Sequence, residues 1–179
     1  MFWVLEALGQ TDHIPEALSI IRNYYGHLIN LGATSWWERF DANDDYKASL
    51  SHGWGGSPTW FLTSYVLGAK RAGDNTWVVK PSFTGVTYAS GQIPLEGSVV
   101  EVYWEVQNNQ DKYIRVVSSE TTHGKIVLPY PDSTTLITHN GETIWEYGGA
   151  KTTNVYLSSA QVNIVVLGGE HVILIQAGN

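Results

Sequence analysis

The sequence contains no cysteine, which excludes disulfides, thiolate metal sites and a cysteine nucleophile. Basic residues are scarce: ten lysines and arginines stand against 17 aspartates and glutamates, and the net charge is −7. This balance argues against nucleic acid or an anionic membrane as a partner. No apolar run approaches the roughly 18 residues of a membrane-spanning helix, and no signal peptide is recognisable, so the compartment stays open.

Aromatic residues, in contrast, are abundant. The 179 residues are 43% apolar and 15% charged, which is typical of a folded chain of one ordinary or two small domains, and they include eight tryptophans and ten tyrosines. Aromatic side chains in excess of the needs of a core usually lie at binding surfaces. They are concentrated in residues 32–41 and 49–68, together with Glu38 and His52. The tryptophans of these two segments are Trp36, Trp37, Trp54 and Trp60.

This composition is typical of a sugar-binding cleft. Indole faces can stack on the C–H faces of a pyranose ring, while a carboxylate and an imidazole hydrogen-bond to its hydroxyls. The two segments therefore supply the first candidates for a functional site.

The first part of the chain shows the periodicity of helices. Residues 2–8 predict a short helix, and Thr11 and Asp12 offer an N-cap for the next one. Apolar residues then recur at a spacing of 3.6 residues over 14–28, and Gly32 is placed to end this helix as its C′ residue. These elements predict an α-helical start to the fold.

The aromatic segments carry helix signals of their own. Ser35 and Glu38 have the spacing of a capping box, which predicts a short helix over 36–40. Ser57, followed by a proline, predicts the start of a further helix over 59–67, ended by a glycine. If Glu38 is only the reciprocal carboxylate of the capping box, it has no functional role.

Between these segments lie an acidic loop and a glycine-rich turn. Residues 41–50 could bind calcium, but they lack the glycine and the terminal glutamate of the helix-loop-helix calcium site, so a solvated loop is favoured. Residues 52–56 form a glycine-rich turn that lets the backbone approach a ligand. The acidic or amide residues of the loop are Asp41, Asn43, Asp44 and Asp45.

From residues 73–74 onward the apolar pattern changes to the period of two that is typical of strands, most clearly over 99–106. Residues 108–111 predict a turn, and the Asn140-Gly141 pair and the Gly168-Gly169 pair predict two-residue hairpins. At least eight short strands indicate an antiparallel β-sandwich. The other predicted strands are 77–79, 86–88, 113–117, 124–128, 136–139, 143–147, 163–167 and 171–175.

The fold class predicted is therefore α+β, with a helical part over 1–72 and a sandwich over 73–179. Two or three helices with this much aromatic surface cannot bury it among themselves. Either they pack on the sandwich, or the chain self-associates, or the rest of a larger helical domain is missing.

The aromatic segments resemble a signature of α-L-rhamnosidases whose catalytic domain is an (α/α)6 barrel. The matching stretches are GATSWWE at 32–38, SLSHGWG at 49–55 and YVLG at 65–68, in the family's order. The resemblance extends from residue 1 to about 106, and beyond that only in outline. It implies that 1–72 are the last few helices of such a barrel and that 73–179 are the antiparallel, jelly-roll-like β-sandwich that follows it.

The resemblance also implies a reaction, the inverting hydrolysis of a terminal α-L-rhamnosyl bond. Glu38 matches the family's general base, and His52 matches a histidine that contacts the rhamnose. Trp37, Trp36 and Trp54 are candidates for the walls of the sugar site. Neighbouring residues on a helix point about 100° apart, so one of the first two must be partly core. Packing is the alternative for Trp54 and Trp60, and a loop hydrogen bond is the alternative for His52.

The family's general acid lies in an upstream segment that has no counterpart here. The resemblance therefore implies a C-terminal fragment that is inactive alone. Its expected partners are rhamnose-containing glycans and either the missing N-terminal part of the barrel or a second copy of the chain. Secretion suits a polysaccharide-degrading relative, but no signal supports it. The alternative is a non-catalytic carbohydrate-binding or structural module.

No cofactor and no metal are expected. The remaining histidines lie on unrelated predicted elements, and no two have the spacing of a zinc motif such as His-x-x-x-His. These histidines are His13, His27, His123, His139 and His171.

Overall fold

The computed structural model describes residues 1–41, 48–107, 110–129 and 131–176. The chain divides into two compact units, 1–62 and 63–179. It has few helices and one large β-sheet, so the mixed α and β composition predicted from the sequence is confirmed. The central residues of the predicted acidic loop and of the turn before Gln110 lie outside the described residues. These are Asn43, Asp44, Asp45, Asn108 and Asn109.

The helices are short. They are Phe2–Gln10 (α1), Ile14–Ile20 (α2), Gly26–Asn30 (α3) and Ser57–Phe61 (α4), with π-helical turns at Ile21–Tyr25 and Leu62–Val66 and a 3₁₀ turn at Gly53–Gly56. No helix in the described ranges is long and apolar enough to cross a membrane.

The predicted end of α3 is confirmed. Gly32 has φ +87°, the left-handed conformation that glycine adopts without strain. Its N–H donates to the Ile29 carbonyl at 2.9 Å, and the Ala33 N–H donates to the Leu28 carbonyl at 3.0 Å. This pair of bonds is the Schellman motif, which satisfies carbonyls that the helix itself leaves open.

Two of the predicted helix starts are wrong. The residue before α2 is His13, because Thr11 belongs to the end of α1 and its N–H and hydroxyl both donate to the Ala7 carbonyl. Asp12 has φ +63°, which is not the extended backbone of an N-cap. Ser57 is the first residue of α4 rather than its cap.

The core of the first unit is built on the apolar face that the periodicity predicted. Tyr25 is 2% exposed, with its ring edge-on to Trp36 and Phe40 at centroid distances of 5.3 and 5.0 Å. Its hydroxyl is hydrogen-bonded to the hydroxyl of Ser57 at 2.7 Å, which satisfies both buried groups. Burial raises the pKa of Tyr25. The other buried apolar residues are Leu5, Ile14, Ala17, Leu18, Leu28 and Phe61.

Ten strands form the sheet of the second unit. They are Ala69–Arg71 (β1), Thr76–Val79 (β2), Tyr88–Leu95 (β3), Ser98–Val106 (β4), Lys112–Pro129 (β5), Leu136–His139 (β6), Glu142–Glu146 (β7), Gly149–Ala150 (β8), Val155–Ser158 (β9) and Gln161–Gln176 (β10). The main order is β1-β2-β5-β10-β6-β7-β8, with β4 on β5, β3 on β4 and β9 on β10. The pairs are antiparallel except β2 with β5, which is parallel.

The strands β5 and β10 are long and organise the sheet. One half of β5 pairs with β4, and the other half pairs with β2. The ladder between β5 and β10 is interrupted between Leu167 and Gly169, where a single residue of β10 lies opposite residues 119–122 of β5. The strands β4 and β2 thus pair with different halves of the same central strand, β5.

This arrangement corrects two predictions. Residues 113–117 and 124–128 are parts of one strand, and so are 163–167 and 171–175, so the pair Gly168-Gly169 lies within β10 opposite a bulge in β5 and is not a hairpin. A two-residue hairpin of type I′ needs positive φ at both central residues, and only Gly169 has it, with φ +131°. The strand predicted at 86–88 is instead Tyr88–Leu95.

Three tryptophans are buried in the core of the second unit. Trp77, Trp104 and Trp145 are each at most 2% exposed. The Trp77 ring lies directly on Gly124, where a Cβ atom would be 2.1 Å from the indole. The other fully buried apolar side chains of this core include Val79, Val100, Ile114, Val116, Ile126, Leu128, Ile137, Val162, Ile164 and Ile173.

The same unit contains a histidine pair that the sequence interpretation missed. His139 Nε2 and His171 Nδ1 are 3.0 Å apart, and His171 Nε2 donates to the Leu167 carbonyl at 2.7 Å. His171 therefore accepts from His139 when both rings are neutral. Burial lowers the pKa of both histidines, and for His139 the neighbouring His171 lowers it further, against a smaller opposite effect of Glu142.

We expect this pair to make the second unit less stable as the pH falls below the ordinary histidine pKa of about 6.5. Above that pH neither state binds the protons, whereas just below it the unfolded chain binds protons that the folded pair does not. Urea unfolding at a series of pH values checks this. The His139→Gln variant should lose part of the pH dependence, and an unchanged profile would exclude the pair as its source.

Candidate functional site

The segment that holds Glu38 has no regular secondary structure and is not the short helix predicted over 36–40. The Glu38 N–H donates to the Ser49 carbonyl, and the His52 N–H donates to the Trp36 carbonyl, both at 2.9 Å. The Ser49 N–H in turn donates to the Glu38 carboxylate at 3.1 Å. The Ser35 hydroxyl donates to the Leu50 carbonyl. Both residues of the predicted capping box thus bond to the second aromatic segment, which is why no helix forms.

The Glu38 side chain faces a pocket of about 330 Å³ in the first unit. Of the residues described here, Glu38 contributes the pocket's one acidic side chain, and Trp37 and Trp54 line it as well. The pocket is otherwise bounded by Met1, Phe2, Trp3, Tyr25, Phe40 and Gly55. A carboxylate is thus held against a largely aromatic wall.

Trp54 is fixed in place although 60% of its surface is exposed. Its indole N–H donates to the Glu38 carbonyl at 3.0 Å, which ties the ring to the backbone of the candidate base. His52 lies against it, with ring centroids 4.2 Å apart and planes inclined by 33°. The His52 Nδ1 accepts from the Trp54 N–H at 3.3 Å, so this nitrogen is unprotonated in the arrangement.

The structure brings three of the predicted site residues to the pocket and places two beside it. Trp37, Glu38 and Trp54 line the pocket, whereas His52 contacts Trp54 and is not part of the lining. Trp36 stands edge-on to Tyr25 in the interior of the unit, and its indole N–H donates to the Thr59 hydroxyl at 3.2 Å.

Gly55 is the residue that allows the two aromatic segments to approach each other. A Cβ atom on this glycine would be 2.8 Å from both the Trp36 Cβ and the Trp37 carbonyl oxygen. The glycine-rich turn therefore brings its backbone against the backbone of the other aromatic segment.

Four aromatic lining residues were not predicted as site residues from the sequence, namely Phe2, Trp3, Tyr25 and Phe40. Phe2 also packs on Trp60, with ring centroids 4.7 Å apart, which assigns Trp60 to packing. The signal that could have identified Phe2 and Trp3 was an aromatic pair at the start of α1, where a buried helix would have aliphatic residues.

Directly after Glu38 in the sequence lies an ion pair between Arg39 and Asp41. Arg39 forms two hydrogen bonds with Asp41, both at 2.8 Å, and this guanidinium lowers the pKa of Asp41. Within the described ranges there is no group of three or more potential metal ligands. The arrangement offers one hydrogen-bonded carboxylate that can accept a proton, and flat apolar surfaces for a ring.

No protein-family model matches the chain, and neither does any curated protein sequence. Solved structures do match it, among them three α-L-rhamnosidases. The α-L-rhamnosidase of Streptomyces avermitilis complexed with L-rhamnose is 21% identical, with a TM-score of 0.75 over 96% of this chain and 17% of that one. The enzyme of Dictyoglumus thermophilum is also 21% identical, with a TM-score of 0.72 over 85% of this chain and 17% of that one.

A third structure, the GH78 family rhamnosidase of Bacillus sp. GL1, is 30% identical, with a TM-score of 0.60 over 72% of this chain and 14% of that one. The resemblance to α-L-rhamnosidases that the two aromatic segments indicated is therefore confirmed. The chain spans only 14–17% of the length of these three proteins.

Proposed function

We propose that this chain forms part of the sugar site of an inverting α-L-rhamnosidase-like glycoside hydrolase, with Glu38 as the general base. The observation that carries the proposal is the position of the Glu38 carboxylate on a pocket walled by Trp37 and Trp54. The structural similarity to three rhamnosidases supports it, one of which was solved with L-rhamnose.

The chemistry of the proposal requires a base on one face of the sugar. The Glu38 carboxylate takes a proton from a water molecule as the water attacks the anomeric carbon, and the leaving oxygen departs from the opposite face. The hydrogen bond from the Ser49 N–H fixes one carboxylate oxygen, which orients the base and leaves the other oxygen for the water. Trp37 and Trp54 supply flat surfaces for the sugar ring.

His52 acts through Trp54 in this proposal. The imidazole is stacked on the indole and accepts the backbone N–H of the same residue. It is thus a positioning residue for the wall of the pocket. Trp36 has the same role from the interior, because it packs on Tyr25.

An inverting glycosidase needs two carboxyl groups about 6.5–9.5 Å apart. Within the described lining of the pocket, Glu38 is the one carboxylate. The proposal therefore assigns the general acid to a part of the enzyme outside this chain, and the chain alone should not hydrolyse rhamnosides. In the same proposal residues 1–72 are the last helices of the (α/α)6 catalytic barrel, and 73–179 correspond to the jelly-roll-like β-sandwich that follows.

The experiment is an NMR titration of the ¹⁵N-labelled chain with L-rhamnose. We expect the sugar to shift the Ser49 amide and the Trp54 indole N–H, because these two groups are bonded to Glu38. D-rhamnose, with the same functional groups in mirror image, is the control and should shift them far less. Glu38→Gln should weaken L-rhamnose binding about tenfold, since a charged hydrogen bond is lost.

Equal shifts with both enantiomers, or unchanged affinity in the Glu38→Gln variant, would remove the basis of the proposal. Binding of L-rhamnose with no hydrolysis, even when a second carboxylate is supplied on a longer chain, would favour a carbohydrate-binding module instead.

A further inference from the structure

A second cavity, of about 270 Å³, lies on the outer face of strands β3, β4 and β5 in the second unit. The register places Ser90, Tyr103 and Arg115 in one row across the three strands, and Gln92 and Glu101 in the next. Side chains directly opposite on neighbouring strands lie about 5 Å apart, so the five form a continuous patch. The backbone of Gly91 and Val102 completes the lining.

Three of these side chains have free polar groups. Ser90, Gln92 and Glu101 make no side-chain hydrogen bond within the part of the chain that the structure describes. All three residues are exposed, and Glu101 also interacts electrostatically with Arg115. The amide, hydroxyl and carboxylate that line this cavity offer both donors and acceptors to a ligand.

The other two side chains are each hydrogen-bonded to a neighbouring carboxylate. Arg115 donates through Nε to the Glu170 carboxylate at 2.6 Å, which fixes the plane of the guanidinium. The Tyr103 hydroxyl donates to the Glu105 carboxylate at 2.6 Å, which fixes its ring. Groups that are already ordered lose little entropy when a ligand binds.

We propose that this cavity binds a neutral saccharide. The charge of Arg115 is balanced by Glu170, and Glu101 adds a negative charge, so the site does not attract phosphates or acidic sugars. The mixture of donors and acceptors matches the hydroxyl groups of a neutral sugar.

Tyrosine rings on the same face supply the apolar surface that such a ligand needs. The rings of Tyr103 and Tyr113 have centroids 6.2 Å apart, and Tyr88, opposite Glu105 on the neighbouring strand, is 66% exposed. Exposed aromatic rings beside hydrogen-bonding groups can take the C–H face of a pyranose. The site uses none of the residues around Glu38, so it does not depend on the function proposed above.

The test is an NMR titration of the ¹⁵N-labelled chain with methyl α-L-rhamnoside, methyl β-D-glucoside and, as an acidic control, D-galacturonate. At least one neutral glycoside should shift the amides of Gln92, Glu101 and Tyr103. Glu101→Ala should weaken this binding about tenfold, because a charged acceptor is lost. Glu96→Ala removes an exposed carboxylate from the β3–β4 turn, outside the cavity, and should leave the affinity unchanged.

The proposal is overturned if no neutral glycoside shifts these amides at tens of millimolar, if galacturonate alone does so, or if Glu101→Ala binds like the unaltered chain. Shifts at Ser49 and Trp54 report on the Glu38 pocket instead, so the two sites succeed or fail separately.

Discussion

Replacing Gly168 with alanine is expected to destabilise the second unit by about 3 kcal/mol, at the upper end of the cost of overpacking. The new Cβ would lie 1.8 Å from the Ser119 carbonyl oxygen and 2.8 Å from the Glu120 Cα. These are backbone atoms of the paired strand, so no side-chain rotation can relieve the overlap. The measurement is the urea midpoint of the transition of the second unit.

The control is Gly149→Ala in the same unit. A Cβ at that position would have its nearest neighbour, the Glu146 carbonyl oxygen, at 4.0 Å, an ordinary contact distance. The variant should stay within about 0.5 kcal/mol of the unaltered chain. Equal effects of the two substitutions would contradict the close approach of β10 to β5 at Gly168.

Glu38→Ala is expected to lower the rate of rhamnoside hydrolysis about 10²–10⁴-fold, when this chain is joined to a segment that supplies the general acid. The variant cannot deprotonate the attacking water. Azide needs no deprotonation, so it should restore turnover by attacking the anomeric carbon from the face that the water would use. An α-L-rhamnoside should then give a β-L-rhamnosyl azide, with the leaving oxygen protonated by the acid.

Glu96→Ala serves as the matched control, because it removes a carboxylate that does not line the pocket. It should keep the full rate and show no response to azide. An unchanged rate in Glu38→Ala, or an azide product of the α configuration, would exclude Glu38 as the base of an inverting reaction.

The features predicted correctly from the sequence are those with local causes. Gly32 ends a helix because the left-handed conformation follows directly from its lack of a Cβ, and the bonds of the Schellman motif involve neighbours in the chain. Asn140 and Gly141 form the predicted hairpin, both with positive φ, for the same reason. The alternation over 99–106 likewise predicted strand β4 correctly, in which Val100 and Trp104 are buried.

Two of the wrong predictions have non-local causes. The pair Gly168-Gly169 has the composition of a hairpin, but β10 continues because β5 pairs with it on both sides of these glycines. Ser35 and Glu38 have the spacing of a capping box, but each finds a backbone partner in residues 49–50. No periodicity within a segment can show which distant segment will lie next to it.

The residues of the candidate site were likewise predicted in part and missed in part. Trp37, Glu38 and Trp54 were predicted because they lie in two segments that match a known signature, and all three line the pocket. Phe2 and Trp3 were missed because their helix is far away in the sequence. The pair of His139 and His171 was missed because 32 residues separate two histidines that adjacent strands bring to 3.0 Å.

The most direct test of the account is isothermal titration of the chain with L-rhamnose, in parallel with its Glu38→Gln, His52→Ala and Glu101→Ala variants. The account predicts a component of L-rhamnose binding that Glu38→Gln weakens about tenfold, that His52→Ala weakens through the loss of support for Trp54, and that Glu101→Ala leaves intact. Binding that is the same in the unaltered chain and in Glu38→Gln, or no binding at all, would contradict a rhamnose pocket centred on Glu38.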